Sequence, residues 1–121
     1  MWLYHVTSGD LWDPKGRKLT TGYSGFGFDK NQVASEGLKD HGPIPEGGWS
    51  IGAPFDSPDH GPYCLRLTPD PTTDTHGRDG FLIHGDSVAH PGAASHGCII
   101  LVRMARELIW TSGDHKLLVV A

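Results

Sequence analysis

The chain has 121 residues, 37% of them hydrophobic and 20% charged, which is one domain's worth of sequence with enough hydrophobe for a core. Its formal net charge of −4 and isoelectric point near 6.0 disfavour nucleic-acid binding, which requires a basic face. No apolar run approaches the roughly 18 residues of a membrane span, and the start Met-Trp-Leu-Tyr-His has neither a basic nor an apolar leader region. The sequence therefore reads as made in the cytoplasm without a signal peptide, and as not inserting into a membrane.

Residues 3–7 alternate weakly and open a first strand, and the turn Asp13-Pro14-Lys15-Gly16 after Leu11-Trp12 predicts a short hairpin. Residues 18–23 read as a further strand, and residues 29–40, with few hydrophobes, as a loop. In Gly42-Pro43-Ile44-Pro45 each proline keeps the residue before it extended, and Trp49-Ser50-Ile51 forms the next strand. Residues 54–62 read as a second loop. Tyr63-Cys64-Leu65-Arg66-Leu67 then alternates, with Tyr63, Leu65 and Leu67 on one face and Cys64, a small buried hydrophobe, on the other.

A polar loop over residues 68–79 leads into the buried strand Phe81-Leu82-Ile83, and Ile99-Ile100-Leu101 is another core segment. One helix is predicted, with Leu101, Met104, Ala105, Leu108 and Ile109 on one face, Arg103, Arg106 and Glu107 on another, and Ser112-Gly113 as its stop. Residues 116–120 form the last strand. The sum is a single, mainly β domain over residues 1–121 with one short late helix. Strands do not alternate with helices, which excludes a doubly wound α/β fold. The 17 glycines and 9 prolines follow no period and read as turn residues. Cys64 and Cys98 are too few for a disulfide framework and leave one bridge open. The four tryptophans read as packing, and His5, His41, His60 and His115 are given no role.

The chemistry concentrates in Gly80-Phe81-Leu82-Ile83-His84-Gly85-Asp86 and, after eight intervening residues, Ser95-His96-Gly97-Cys98. A strand-end histidine and a cysteine on a glycine-flanked turn are the two parts of a thiol nucleophile site. The thiolate is the reactive form, and an imidazole within reach can take its proton. Gly97 permits close backbone approach, so amides around Cys98 are expected to stabilise a tetrahedral oxyanion.

A first histidine, a spacer, then Ser/Thr-His-Gly-Cys and an apolar residue resembles the active-site signature of L,D-transpeptidases, matched here by His84, Ser95, His96, Gly97, Cys98 and Ile99. With Tyr23-Ser24-Gly25 and Gly42-Pro43-Ile44-Pro45-Glu46-Gly47 upstream, nearly the whole chain resembles the small L,D-transpeptidase-like effectors delivered by type VI secretion. The resemblance implies an L,D-transpeptidase-like β-sandwich or barrel with a groove, and Cys98 as nucleophile. His84 would be general base and later acid, oriented by the Gly85 carbonyl, with Ser95, His96 and Gly97 in support. It further implies action on peptidoglycan stem peptides, no cofactor or metal, export by a contact-dependent machine into a target-cell periplasm, and a cognate immunity protein as partner. Wall-building members commonly carry Arg or Asn where this chain has Ile100, which makes Arg103 the candidate for the substrate carboxylate. Tyr23 and Asp86 are the other candidate substrate contacts, and His90 beside Pro91-Gly92 reads as part of a cover over Cys98.

Two other readings compete. A zinc hydrolase would draw ligands from His84, His90, His96 and Cys98 with Asp86 as base, although the spacings match no zinc pattern. A non-catalytic wall-binding or phage-structural module would keep the fold alone.

Overall fold

The computed structural model describes residues 1–121 and consists of ten strands and one α-helix. β1 (Trp2–His5) pairs with β2 (Asp10–Trp12), which pairs in turn with β3 (Lys18–Thr21). β4 (Tyr23–Ser24) follows one residue later and joins a distant part of the sheet. On its other side β1 runs parallel to the last strand, β10 (Lys116–Val120). The ladder continues antiparallel from β10 through β5 (Gly47–Ile51) and β7 (Gly61–Pro69) to β8 (Leu82–His84). It then passes in parallel to β9 (Ile99–Ile100) and ends on β4. β6 (Phe55–Ser57) folds back on the start of β7, and α1 (Arg103–Thr111) packs on β7 and β8.

The hydrogen-bonded path is open, yet its two ends, β3 and β4, are separated by Gly22 alone. The chain therefore steps from one end of the open ladder to the other across a single-residue seam. Gly22 is required at this seam: any Cβ there would run into the Ile100 carbonyl and the Leu101 side chain. The strand expected over residues 18–23 is thus two strands belonging to opposite ends of one sheet.

Other boundaries also differ from the sequence reading. Residues 54–62 are not wholly a loop, because β6 and the start of β7 lie within them, and β7 takes residues 68–69 from the next loop. Prolines 62 and 69 had marked loops, but both sit at the ends of β7, where a missing N–H is tolerated. Residues 29–40 include the 3₁₀ turn Val33–Ser35. On α1 the buried stripe is narrower than predicted. Ala105 and Ile109 are buried, together with Leu101 just before the helix, whereas Met104 is 58% and Leu108 43% exposed. Arg106, placed on the outer face by its charge, is buried instead. Its Nη1 donates to the Pro62 and Tyr63 carbonyls, both at 2.9 Å, which offsets the loss of water.

The short strands β8 and β9 are buried on both faces, whereas β7 is buried at Cys64, Leu65 and Leu67 and exposes Arg66. Leu65, Ile83 and Ile99 point into the main core, with Trp49, Tyr4, Leu11, Ile44 and Ile109 among its other members. The alternate residues Cys64, Leu82, Cys98 and Ile100 form a separate small cluster on the opposite face. His84 shares the parity of that second face.

Candidate active site

β8 ends on His84, opposite Ile100 of β9 and only 2% exposed. Its Nδ1 lies 2.8 Å from the Gly85 carbonyl oxygen. A carbonyl only accepts, so Nδ1 carries the hydrogen and Nε2 presents a lone pair. That Nε2 is buried and has no hydrogen-bond partner. Burial pushes the His84 pKa below the ordinary histidine value; the Gly85 bond and Asp86 oppose this, while the neighbouring charges of His60 and Arg106 add to it.

The turn carrying Cys98 is fixed by two buried serines. Ser95 Oγ accepts the N–H groups of Gly25 (2.9 Å) and Gly97 (3.1 Å) and donates to the Cys98 carbonyl (2.5 Å). Ser24 Oγ donates to the Gly97 carbonyl at 3.0 Å and accepts the Ile44 N–H at 2.9 Å. This leaves the Gly97 amide occupied by Ser95, so it is not one of the oxyanion donors expected around Cys98. Gly97 has φ +143°, and a Cβ there would lie 2.5 Å from Arg78 Nη2 and 3.1 Å from the Phe81 ring. His96 is held by Nδ1 against the Asp40 carbonyl (2.9 Å) and by stacking on Phe26, with ring centroids 4.8 Å apart.

Cys98 Sγ accepts the Leu82 N–H at 3.3 Å and faces the Gly80 carbonyl at 3.8 Å. Burial pushes its pKa up to about 11, reinforced by Cys64 and opposed by the Leu82 N–H, Arg78 and Arg66. Cys98 and His84 line one cavity of about 280 Å³ with Arg78, Phe81 and His96. A second cleft of about 600 Å³ shares His60, His84, Ala94 and His96 with it and continues towards Asp86, His90 and Arg106. His84 thus stands where the two meet. No hydrogen bond joins His84 Nε2 to Cys98 Sγ, because the sulfur is turned towards the Leu82 amide.

Cys64 and Cys98 are both free. β8 separates β7 from β9, so at about 4.8 Å per strand the two backbones lie roughly 9.6 Å apart, beyond the span of a disulfide. The bridge left open by the sequence is therefore not made.

Of the expected substrate contacts, Asp86 lines the second cleft together with His84, whereas Arg103 and Tyr23 line neither cavity. Arg103 is exposed on the first turn of α1, 3.6 Å from Glu107 and over the Tyr63 ring at 4.7 Å, and it does not line the Cys98 cavity. Tyr23 Oη donates to Asp86 Oδ1 at 2.6 Å and accepts the Ala94 N–H at 2.9 Å, while Asp86 also accepts from Ser87 and Gly92. These two residues pin the loop over residues 86–94. His90 is exposed on that loop and borders the second cleft only. His84, His90, His96 and Cys98 do not converge, and no three His, Cys, Asp or Glu side chains form a group able to hold a metal.

Sequence reasoning missed Arg78, Ser24, Arg106 and His60, whose ring lies 4.5 Å from that of His84. Arg78 sits in a polar Thr- and Asp-rich stretch that reads as solvated, and no local pattern marks it as buried. His60 comes from the β6–β7 turn, so only the pairing of those strands brings it to the site.

Residues 18–120 match the family model of the Tlde1 domain. Among solved structures, an L,D-transpeptidase from Stackebrandtia nassauensis is similar in fold, with a TM-score of 0.60 at 16% identity over 99% of this chain and 54% of that one. The chain thus spans about half the length of that neighbour. No curated protein matches the chain.

Proposed function

Because the chain belongs to the Tlde1 domain family, the type VI secretion L,D-transpeptidase effectors, we propose that it modifies peptidoglycan by cysteine acyl transfer on stem peptides. Cys98 is the nucleophile, and His84 is first general base and then general acid. One observation carries this reading: His84 Nδ1 is engaged by the Gly85 carbonyl, leaving Nε2 buried and unpartnered beside the cavity that Cys98 also lines.

The resting pair is neutral, since burial raises the thiol and lowers the imidazole. Reaction begins when Sγ turns from the Leu82 amide and passes its proton to Nε2. The thiolate attacks the carbonyl of the third stem residue, meso-diaminopimelate in Gram-negative walls. A C–S bond forms, the C–N bond to the terminal D-alanine breaks, and the amine leaves with the proton from His84. An acceptor then gives its proton to Nε2 and bonds to the thioester carbonyl carbon, the C–S bond breaks, and His84 returns the proton to the Cys98 thiolate. Water as acceptor gives L,D-carboxypeptidase activity, a D-amino acid gives exchange, and a second stem gives a cross-link. Trimming and exchange suit an antibacterial toxin, because both remove cross-linking donors from a competitor's wall. Delivery into the target-cell periplasm and neutralisation by a cognate immunity protein belong to the same reading.

Digestion of purified Gram-negative peptidoglycan under reducing conditions tests it, with the muropeptides resolved by mass. Loss of D-alanine from tetrapeptide stems, or its replacement by an added D-amino acid, is expected with the wild type and not with Cys98→Ala. A second reading, a non-catalytic wall-binding module, draws on the Cys98–Leu82 contact and the high thiol pKa. Unchanged muropeptides in both samples, with wall binding retained, would favour it.

A further inference from the structure

Arg78 stands on the loop before β8 and is only 8% exposed. Its Nη1 donates to the carbonyls of Glu36 and Pro43, and its Nη2 to those of Gly42 (2.9 Å) and His96 (3.2 Å). The guanidinium also lies 5.1 Å from the Phe81 ring centroid. All four acceptors are neutral main-chain oxygens; the carboxylates of Asp40 and Glu36 lie near enough to favour its charge, but neither forms an ion pair with it. Arginine is rarely buried without an ion pair, and Arg106 is held by the Pro62 and Tyr63 carbonyls in the same manner, so burial alone gives Arg78 no role.

Its position supplies one. The guanidinium lies directly against the turn before the nucleophile, where a Cβ on Gly97 would come within 2.5 Å of Nη2, and Arg78 and Cys98 line the same cavity. The other groups around Cys98 are the Leu82 amide and Gly80 carbonyl beside β8, Cys64 and Arg66 on β7, His84 at the end of β8, and His60, His96, Lys39, Asp40 and Asp79 along the cavity. Among the cations Arg66 and Lys39 are exposed, whereas Arg78 is buried and held by four main-chain oxygens.

We propose that Arg78 is a positioning residue for the nucleophile: its guanidinium, fixed by main-chain oxygens and free of a carboxylate partner, is the counter-charge against which Cys98 ionises. The proposal rests on Cys98 as the nucleophile. Burial opposes the thiolate, and a fixed positive charge in a poorly solvated wall favours it at the moment the proton moves to His84. The same fork ties the loop over residues 36–43 to the His96 carbonyl, so charge and turn are held in one register.

The test is the rate of iodoacetamide modification at Cys98, located by peptide mass and followed from neutral to alkaline pH in the whole chain. Arg78→Gln, which removes the charge, is expected to lower the rate at neutral pH about tenfold, equivalent to one pKa unit. Arg78→Lys, which keeps the charge and loses the fork, stays close to the wild type. An unchanged profile in Arg78→Gln, or an equal loss in Arg78→Lys, overturns the proposal. Should the glutamine variant not fold, the lysine variant decides alone: a retained rate supports the counter-charge and a lost rate overturns it. The readout is the thiol itself, so it is independent of turnover. Peptidoglycan activity surviving in Cys98→Ala would sink the nucleophile reading instead.

Discussion

The two faces of the β7–β8–β9 segment are built from alternate residues of the same short strands, and they do different work. Leu65, Ile83 and Ile99 join the main core, where apolar burial holds the sheet together. Cys64, Leu82, Cys98 and Ile100 form a cluster of only four buried residues, and His84 ends the same row beside two open clefts. One face is a continuous packed interior; the other is a thin apolar floor beneath reactive side chains. Neighbours in sequence therefore have separate consequences, and substitutions one residue apart are expected to report different quantities.

The largest contrast lies between positions 83 and 84 and, likewise, 98 and 99. Cys98→Ala or His84→Gln is expected to lower product formation by on the order of a thousandfold or more, read from released D-alanine, with the urea midpoint little changed. Ile83→Ala or Ile99→Ala is expected to cost about 2–5 kcal/mol in urea unfolding while each folded molecule keeps its rate. Parallel losses of stability and rate at all four positions would erase the distinction between the faces.

Gly97→Ala tests the joint between them. The added methyl must displace the Arg78 guanidinium or the Phe81 ring at a backbone angle suited to glycine, and a fall of about a hundredfold in rate is expected from the misplaced turn.

A smaller effect separates the faces by pH. The Cys98 pKa is raised to about 11, so the stability it contributes is complete below the unfolded thiol value and is lost as pH rises from there towards 11. The His84 pKa is lowered, so its contribution is present above the unfolded histidine value and is lost as pH falls through the native one. Thermal unfolding across pH should show wild type losing stability at both extremes, with Cys98→Ala flatter at the alkaline end and His84→Gln flatter at the acid end. The core variants should keep the wild-type shape at a lower level.

Smallest of all is Arg103→Ala. An exposed arginine paired with Glu107 and resting on Tyr63 is worth at most about 1 kcal/mol, and its removal should leave KM and kcat as they are. A marked rise in KM would restore Arg103 as a substrate contact.

Much of this division was legible in the chain and some was not. His84 and Ser95–Cys98 stood out because their order and spacing resemble the L,D-transpeptidase signature, and the structure places His84 and Cys98 on one cavity. Cys64 could be read as buried because Tyr63–Leu67 alternates. The two faces of β8 and β9 could not, since Phe81-Leu82-Ile83 and Ile99-Ile100-Leu101 are apolar throughout and carry no alternation to say which side faces the core. The buried arginines escaped for the opposite reason. Arg78 and Arg106 find their acceptors in carbonyls 18 to 44 residues away, a relation that no local pattern records. The hydrogen bond between Tyr23 and Asp86, which pins the loop over residues 86–94, escaped in the same way, since its partners lie 63 residues apart.

The most direct test of the whole account is intact-protein mass spectrometry after rapid mixing with a purified disaccharide-tetrapeptide. The account predicts an adduct equal to the muropeptide less its terminal D-alanine, localised to Cys98, lost on hydroxylamine treatment and absent from Cys98→Ala. D-Alanine release without that adduct in Cys98→Ala, or an adduct on any other residue, would contradict it.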